Sequence, residues 1–138
     1  MHEVNADRPI LVHGSAEVRA ALGAAASLGV GVRLCSAPGA GCHGGGAWFR
    51  ALIEDGRREF PEVPVTAVLD CADRPGAALA ALRAGVPDVA LAGKPDLLER
   101  VRAIAEAQGA RLHTPCAGGL DLRGRRDALE ACRLWLLR

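Results

Sequence analysis

Short, nearly unbroken apolar runs alternate along this chain with longer stretches in which apolar residues recur every three or four positions. The first kind predicts buried strands and the second amphipathic helices. The runs are "PILVHG" (9–14), "VGVRLCS" (30–36), "VPVTAVLD" (63–70), "PDVALAG" (87–93) and the shorter "ARLHT" (110–114). Between them, Val18, Ala21, Leu22 and Ala25 share one helical face, with Ser15 as a cap and Gly29 as a stop. A second helix from about Ala47 turns Phe49, Leu52, Ile53 and Phe60 inward. A third, with Asp73 as cap and Pro75 in its first turn, carries Leu79 and Leu82 and stops at Gly85. A fourth opens at Pro95, bears Leu98, Val101, Ile104 and Ala105 and closes at Gly109; a final helix covers roughly 125–137. The stretch "TPCAGGLDLRGRR" (114–126) reads as a loop.

Strands that alternate with helices of this length predict an α/β domain with a parallel sheet, spanning residues 1–138 as one unit. The first, third and fourth strands are almost wholly apolar, as strands covered on both faces are. The second and fifth alternate and carry Arg33 and Arg111, which predicts sheet edges. Two edges at those positions match a doubly wound, five-stranded, flavodoxin-like sheet in the order 2-1-3-4-5, with helices on both faces. An incomplete (β/α) barrel completed by a partner is the competing architecture.

Composition narrows the function classes. The chain has 138 residues, half of them hydrophobic, but only two Trp, two Phe and no Tyr, so Ala, Val and Leu must build the core. A net charge of +1 argues against a general nucleic-acid binder. No apolar run reaches the roughly 20 residues of a membrane helix, and "MHEVNADRPI" lacks a signal-peptide pattern. These features predict a cytoplasmic protein, a GC-rich bacterial composition, and free thiols at Cys35, Cys42, Cys71, Cys116 and Cys132. The cysteines and histidines lack the paired spacing of a zinc site, so neither a metal nor a cofactor is expected.

The reactive residues gather at the C-terminal ends of the strands. His13 ends the first, Cys35 and Ser36 the second, Asp70 and Cys71 the third, Lys94 follows the fourth, and His113 lies near the end of the fifth. Ligands of open parallel sheets bind at that edge. Lys94 is the only lysine among seventeen basic residues. Unlike arginine it can lose its proton, so with Asp70 and His13 it forms a candidate catalytic set for Schiff-base chemistry. Asp70 and Lys94 could equally neutralise each other as an ion pair. The stretch "SAPGAGCHGGGAWF" (36–49) places glycines directly before a helix, where backbone N–H groups can meet an anion. Gly39, Gly41, Gly44, Gly45 and Gly46, with Ser15 and Arg74, are the candidate ligand-binding residues.

Residues 63–108 resemble the C-terminal half of response-regulator receiver domains. "VPVTAVLDCAD", "AALRAGVPDVALAGKP" and "DLLERVRAI" follow that family's order of strand, helix ending in Ala-Gly, strand, Lys-Pro and helix. The resemblance implies a flavodoxin-like fold in which Lys94 and Pro95 are the Lys-Pro pair. The family's acidic pair is replaced by "HGSAE" (13–17), and its phosphoacceptor Asp by Leu34 or Cys35 within "VRLCSAPGAG". The resemblance therefore implies a receiver-like module that is not phosphorylated. Three functions follow as expectations: a domain binding a small anionic ligand that carries phosphate or carboxylate, a Schiff-base lyase or aldolase-like enzyme using Lys94, and a degenerate receiver-like interaction module. No nucleic-acid or membrane partner is expected, and a homodimer is left open.

Overall fold

The computed structural model describes Val4 and residues 6–138. Six strands, β1 (Ile10–Leu11), β2 (Val32–Cys35), β3 (Val65–Asp70), β4 (Asp88–Ala90), β5 (Arg111–His113) and β6 (Leu120–Asp121), form a sheet in the order 5-4-3-2-1-6. The helices are α1 (Ser15–Leu28), α2 (Gly46–Glu59), α3 (Pro75–Arg83), α4 (Pro95–Ala107) and α5 (Ala128–Leu136). The alternation expected from the apolar pattern is present; the strand order 2-1-3-4-5 is not. From β1 to β5 each strand lies beside the next, which is the progression of a (β/α) barrel rather than of a doubly wound sheet.

The error lay in reading Arg33 as an edge signal. Strand β2 is interior: Ile10 and Leu11 register with Leu34 and Cys35 on one side, and Val32 N–H donates to the Pro64 carbonyl on the other (2.9 Å). An arginine stem can cover apolar surface while its head reaches outward, so one basic residue does not make an edge. Strand β5, with exposed Arg111, is an edge as expected. The other edge is β6, a sixth strand in the stretch read as a loop. Two residues are too few to show an alternation.

The chain forms two compact units. The first comprises 1–35, 52–67 and 117–138. In it β1 pairs in parallel with β2 and β6, and α1 packs against α5. Ile10, Val18, Leu22, Leu34 and Leu122 are fully buried there. Gly29, in the left-handed conformation, ends α1 as expected, whereas Gly14 rather than Ser15 takes the cap position. The second unit comprises 36–51 and 68–116. In it β4 pairs in parallel with β3 and β5, and α3 packs on β4 and α4. Its core holds Phe49, Leu69, Val86, Val89 and Leu91. On α4, Val101 and Ala105 are buried, whereas Ile104 is 42% exposed. Cys42, Cys71 and Cys132 are free; Cys35 and Cys116 are disulfide-bonded, contrary to the expectation of free thiols throughout.

Strand β6 lies tight against β1. A Cβ on Gly119 would sit 2.4 Å from Leu11 Cδ1 and 3.0 Å from the Pro9 carbonyl oxygen. The N–H groups of Leu120 and Leu122 donate to the carbonyls of Pro9 and Leu11 (3.0 and 3.2 Å). Gly119→Val should push this strand away, destabilise the fold by about 1–3 kcal/mol in denaturant titration, and remove amide-exchange protection at Leu120 and Leu122. Unchanged protection at both amides would contradict the pairing.

Candidate functional site

The turn after β3 is built around one carboxylate. Asp70 is 9% exposed. Its Oδ1 accepts the N–H of Ala72 and the N–H of Gly39, both at 2.8 Å. Its own N–H donates to Ser36 Oγ (2.9 Å). Ala72 is the one non-glycine with positive φ (51°) among the described residues, a conformation that costs a β-carbon-bearing residue of order 1 kcal/mol or more. It is held from both sides, because its carbonyl also accepts the Ala92 N–H (2.8 Å). This last bond ties the loop after β4 to the loop after β3.

The two segments that Asp70 grips are the two walls of an open cavity of about 540 Å³. Gly41 and Cys42 line one wall; Asp73, Arg74 and the first turn of α3 (Pro75, Gly76, Ala77) line the other. The cavity opens at the C-terminal end of β3, where the sequence placed its reactive residues. Arg74 caps α3 and is exposed. Cys42 is half-buried, and its thiol donates to the Cys71 carbonyl (3.4 Å). Cys71 is fully buried, and burial, then the neighbouring Cys42 and Asp70, push its thiol up to about 12.

The glycines before α2 have steric reasons of their own. Gly39 and Gly45 occupy the left-handed region (φ 75° and 81°). A Cβ on Gly46 would lie 2.9 Å from the Ala81 Cα, one on Gly41 2.7 Å from Cys71 Sγ, and one on Gly44 3.0 Å from the Trp48 ring. From Gly39 to Gly44, the N–H groups of residues 39, 40, 42, 43 and 44 already have acceptors within the second unit.

Of the candidate catalytic residues, Asp70 and Lys94 lie in the second unit and His13 in the first. Lys94 follows β4, caps α4 and is exposed. Asp70 directs its carboxylate to backbone N–H groups rather than to an ion pair with Lys94. Ser15 is the exposed first residue of α1 in the first unit. His13 has partners the sequence reading did not find. Its Nε2 lies 2.7 Å from Asp121 Oδ1, Arg123 Nη2 lies 3.4 Å from its Nδ1, and its backbone N–H donates to Glu17 (2.6 Å). With the proton on Nε2, both ring contacts are satisfied. The Arg123 N–H and the His13 side chain hold the Asp121 carboxyl below its ordinary range. Asp121 escaped notice because it lies on the unrecognised strand β6. Asp88 was missed too: it is buried on β4, with Oδ1 2.8 Å from His113 Nε2 and 3.2 Å from Arg111 Nε.

No protein-family model and no curated protein matches this sequence. Among solved structures, it is similar to a candidate fructose-1,6-biphosphate aldolase from Coccidioides immitis, with a TM-score of 0.60 and 20% identity. The match covers 76% of this chain but 44% of that one, so this chain spans less than half of the neighbour. The shared architecture is barrel-like. The likeness overturns the resemblance to receiver domains and the flavodoxin-like assignment, as does the strand order. The stretch around Lys94 and Pro95 follows a strand–turn–helix pattern common to both architectures, and local sequence does not separate them.

Removing the Asp70 carboxylate takes two charge-assisted hydrogen bonds from part-buried N–H groups. Asp70→Ala should cost about 2–4 kcal/mol in denaturant titration, whereas Ala72→Gly, by relieving strain, should stabilise by up to about 1 kcal/mol. A neutral Asp70→Ala or a destabilising Ala72→Gly would contradict this account.

The raised Cys71 thiol makes an alkaline prediction. Its folded value lies above the ordinary thiol value of 9.0, so its contribution is present below pH 9 and is lost as pH rises toward 12. Cys132, pushed up by burial to about 11, acts in the same direction. The chain has no tyrosine, so thiols dominate this range. Stability measured against pH should fall above pH 9, and Cys71→Ala should flatten that fall; an equal slope in the variant would refute the assignment.

Proposed function

We propose that the cavity of the second unit binds a small phosphorylated or carboxylated metabolite, with the anion held by Arg74 and the N-terminus of α3. The observation that carries this reading is the joint presence of Arg74 and the first turn of α3 on one cavity wall at the C-terminal end of β3. A guanidinium pairs with phosphate through two parallel N–H groups, and a helix N-terminus adds N–H donors and partial positive charge. Asp73 on the same wall offers acceptors for hydroxyl groups, which favours a polyhydroxy phosphate over a bare anion. Of the glycines from Gly39 to Gly46, Gly41 lines the opposite wall, and the loop serves as wall rather than anion cradle in this reading, since most of its N–H groups are already engaged.

A second reading makes the protein an aldolase-like Schiff-base enzyme. Two observations favour it. Lys94, the only lysine, follows β4 in a loop hydrogen-bonded through Ala92 to the turn that leads to Arg74. The structural neighbour is described as an aldolase, although the likeness itself is one of fold. In this chemistry the deprotonated lysine amine attacks a substrate carbonyl, and loss of water leaves an imine that acts as an electron sink. Asp70 stays outside the proton transfers, as the residue that fixes the turn.

Both readings are tested with fructose 1,6-bisphosphate and inorganic phosphate. Binding to the native state should raise the melting temperature with ligand concentration, and Arg74→Ala should weaken affinity by about tenfold or more. Absence of any rise at millimolar ligand would sink the anion reading. Borohydride reduction in the presence of the sugar phosphate should add a covalent mass on Lys94 if the enzyme reading holds. Binding without a trapped adduct would leave a binding protein.

A further inference from the structure

One thiol lines the cavity and a second lies buried behind its Gly41 wall, and the anion reading uses neither. Cys42 lines the cavity directly. The Cys42 thiol lies over residue 71, donating to the Cys71 carbonyl at 3.4 Å. The Cys71 sulfur comes to the same wall by another route: a Cβ on the cavity-lining Gly41 would sit 2.7 Å from it. Gly41 has no side chain to stand between its own backbone and that sulfur, which donates to the Leu69 carbonyl (3.8 Å). One thiol is thus half-open and the other buried behind a glycine, and both are free. The electrostatic coupling of the two sulfurs is part of what raises Cys71, which places them within each other's field.

We propose that Cys42 and Cys71 together form a dithiol site for a thiophilic metal or metalloid centre bonded through two sulfurs. Soft thiolate ligands select such centres. Among the described residues no group of three or more His, Cys, Asp and Glu side chains is placed to hold a metal, so the site suits a centre satisfied by two sulfurs rather than a four-ligand zinc ion. Cys42 is the entry thiol. Bonding of the centre to Cys42 brings it against Cys71, where displacement of the second thiol proton by a bond to the centre offsets the cost of ionising a buried sulfur. The site stands on the sulfur positions alone and does not depend on Arg74 or on any bound anion.

Phenylarsine oxide is the probe. Its arsenic–oxygen group reacts with two S–H groups to form two S–As bonds and one water; arsenic stays trivalent, and no oxidant or reductant takes part. Native-state intact mass should show one phenylarsenic group per chain with two thiols consumed. The second sulfur makes rebinding intramolecular, so the adduct should survive excess monothiol about 10²-fold longer than a one-sulfur adduct, and a small dithiol should remove it. Cys42→Ser and Cys71→Ser should each lose the resistant adduct, and Cys132→Ser should keep it. Gly41→Ala, whose Cβ would sit 2.7 Å from the Cys71 sulfur and crowd it, should lose the resistant adduct while Cys42 still reacts with iodoacetamide; circular dichroism confirms that each variant is folded. A wild-type adduct that monothiol removes readily, or a resistant adduct surviving in a folded Cys42→Ser or Cys71→Ser variant, would overturn the proposal. Either result can arise whether or not phosphate binds.

Discussion

One carboxylate oxygen organises the candidate site. Asp70 Oδ1 accepts N–H groups from Gly39 and from Ala72, each at 2.8 Å. Gly39 begins the loop that runs on to Gly41 and Cys42, and Ala72 begins the turn that runs on to Asp73 and Arg74. The same oxygen therefore sets the positions of both cavity walls. It also stabilises a left-handed alanine, which would otherwise relax to a commoner conformation. An acceptor bearing full negative charge suits this task better than a neutral one, because hydrogen bonds to ionised groups are the stronger kind.

This role changes the reading of the acidic residue at the end of β3. A carboxylate at a strand's C-terminal end, with the only lysine following the neighbouring strand, has the composition of a catalytic couple. In the folded chain the carboxylate is consumed by backbone donors, and Lys94 stands exposed at the start of α4. The residues that line the cavity at this edge are others: Arg74, the first turn of α3 and Cys42. The turn after β3 is thus a support, and its strain is maintained by bonds on both sides of Ala72.

The first unit has an analogous but separate arrangement. His13, at the end of β1, is oriented by Asp121 from β6 and flanked by Arg123. Parallel pairing of Leu11 with Asp121 places the carboxylate beside the imidazole. A six-residue apolar run and a two-residue strand more than a hundred positions away thus make one hydrogen-bonded group. Asp88 does the same in the second unit, joining His113 and Arg111 across the β4–β5 pair.

Local sequence alone determined the elements. The periodicities located five strands and five helices, because burial on one face or both imposes a rhythm within ten residues or so. It also placed the reactive side chains at the C-terminal strand ends, since that location follows from the direction of the chain in any α/β fold. Glycines at helix stops were legible for the same local reason, as Gly29 shows. Tertiary structure decided what depends on residues far apart. Strand order was one such property: Arg33 looked like an edge residue, yet pairing on both sides makes β2 interior. Strand β6 was another, as "LD" has no rhythm and is a strand only through β1. The partners of Asp70, His13 and Asp88 were the third. A carboxylate or imidazole carries the same formula whether it meets a lysine, a backbone N–H or solvent, and only the folded chain brings the partner within hydrogen-bond distance.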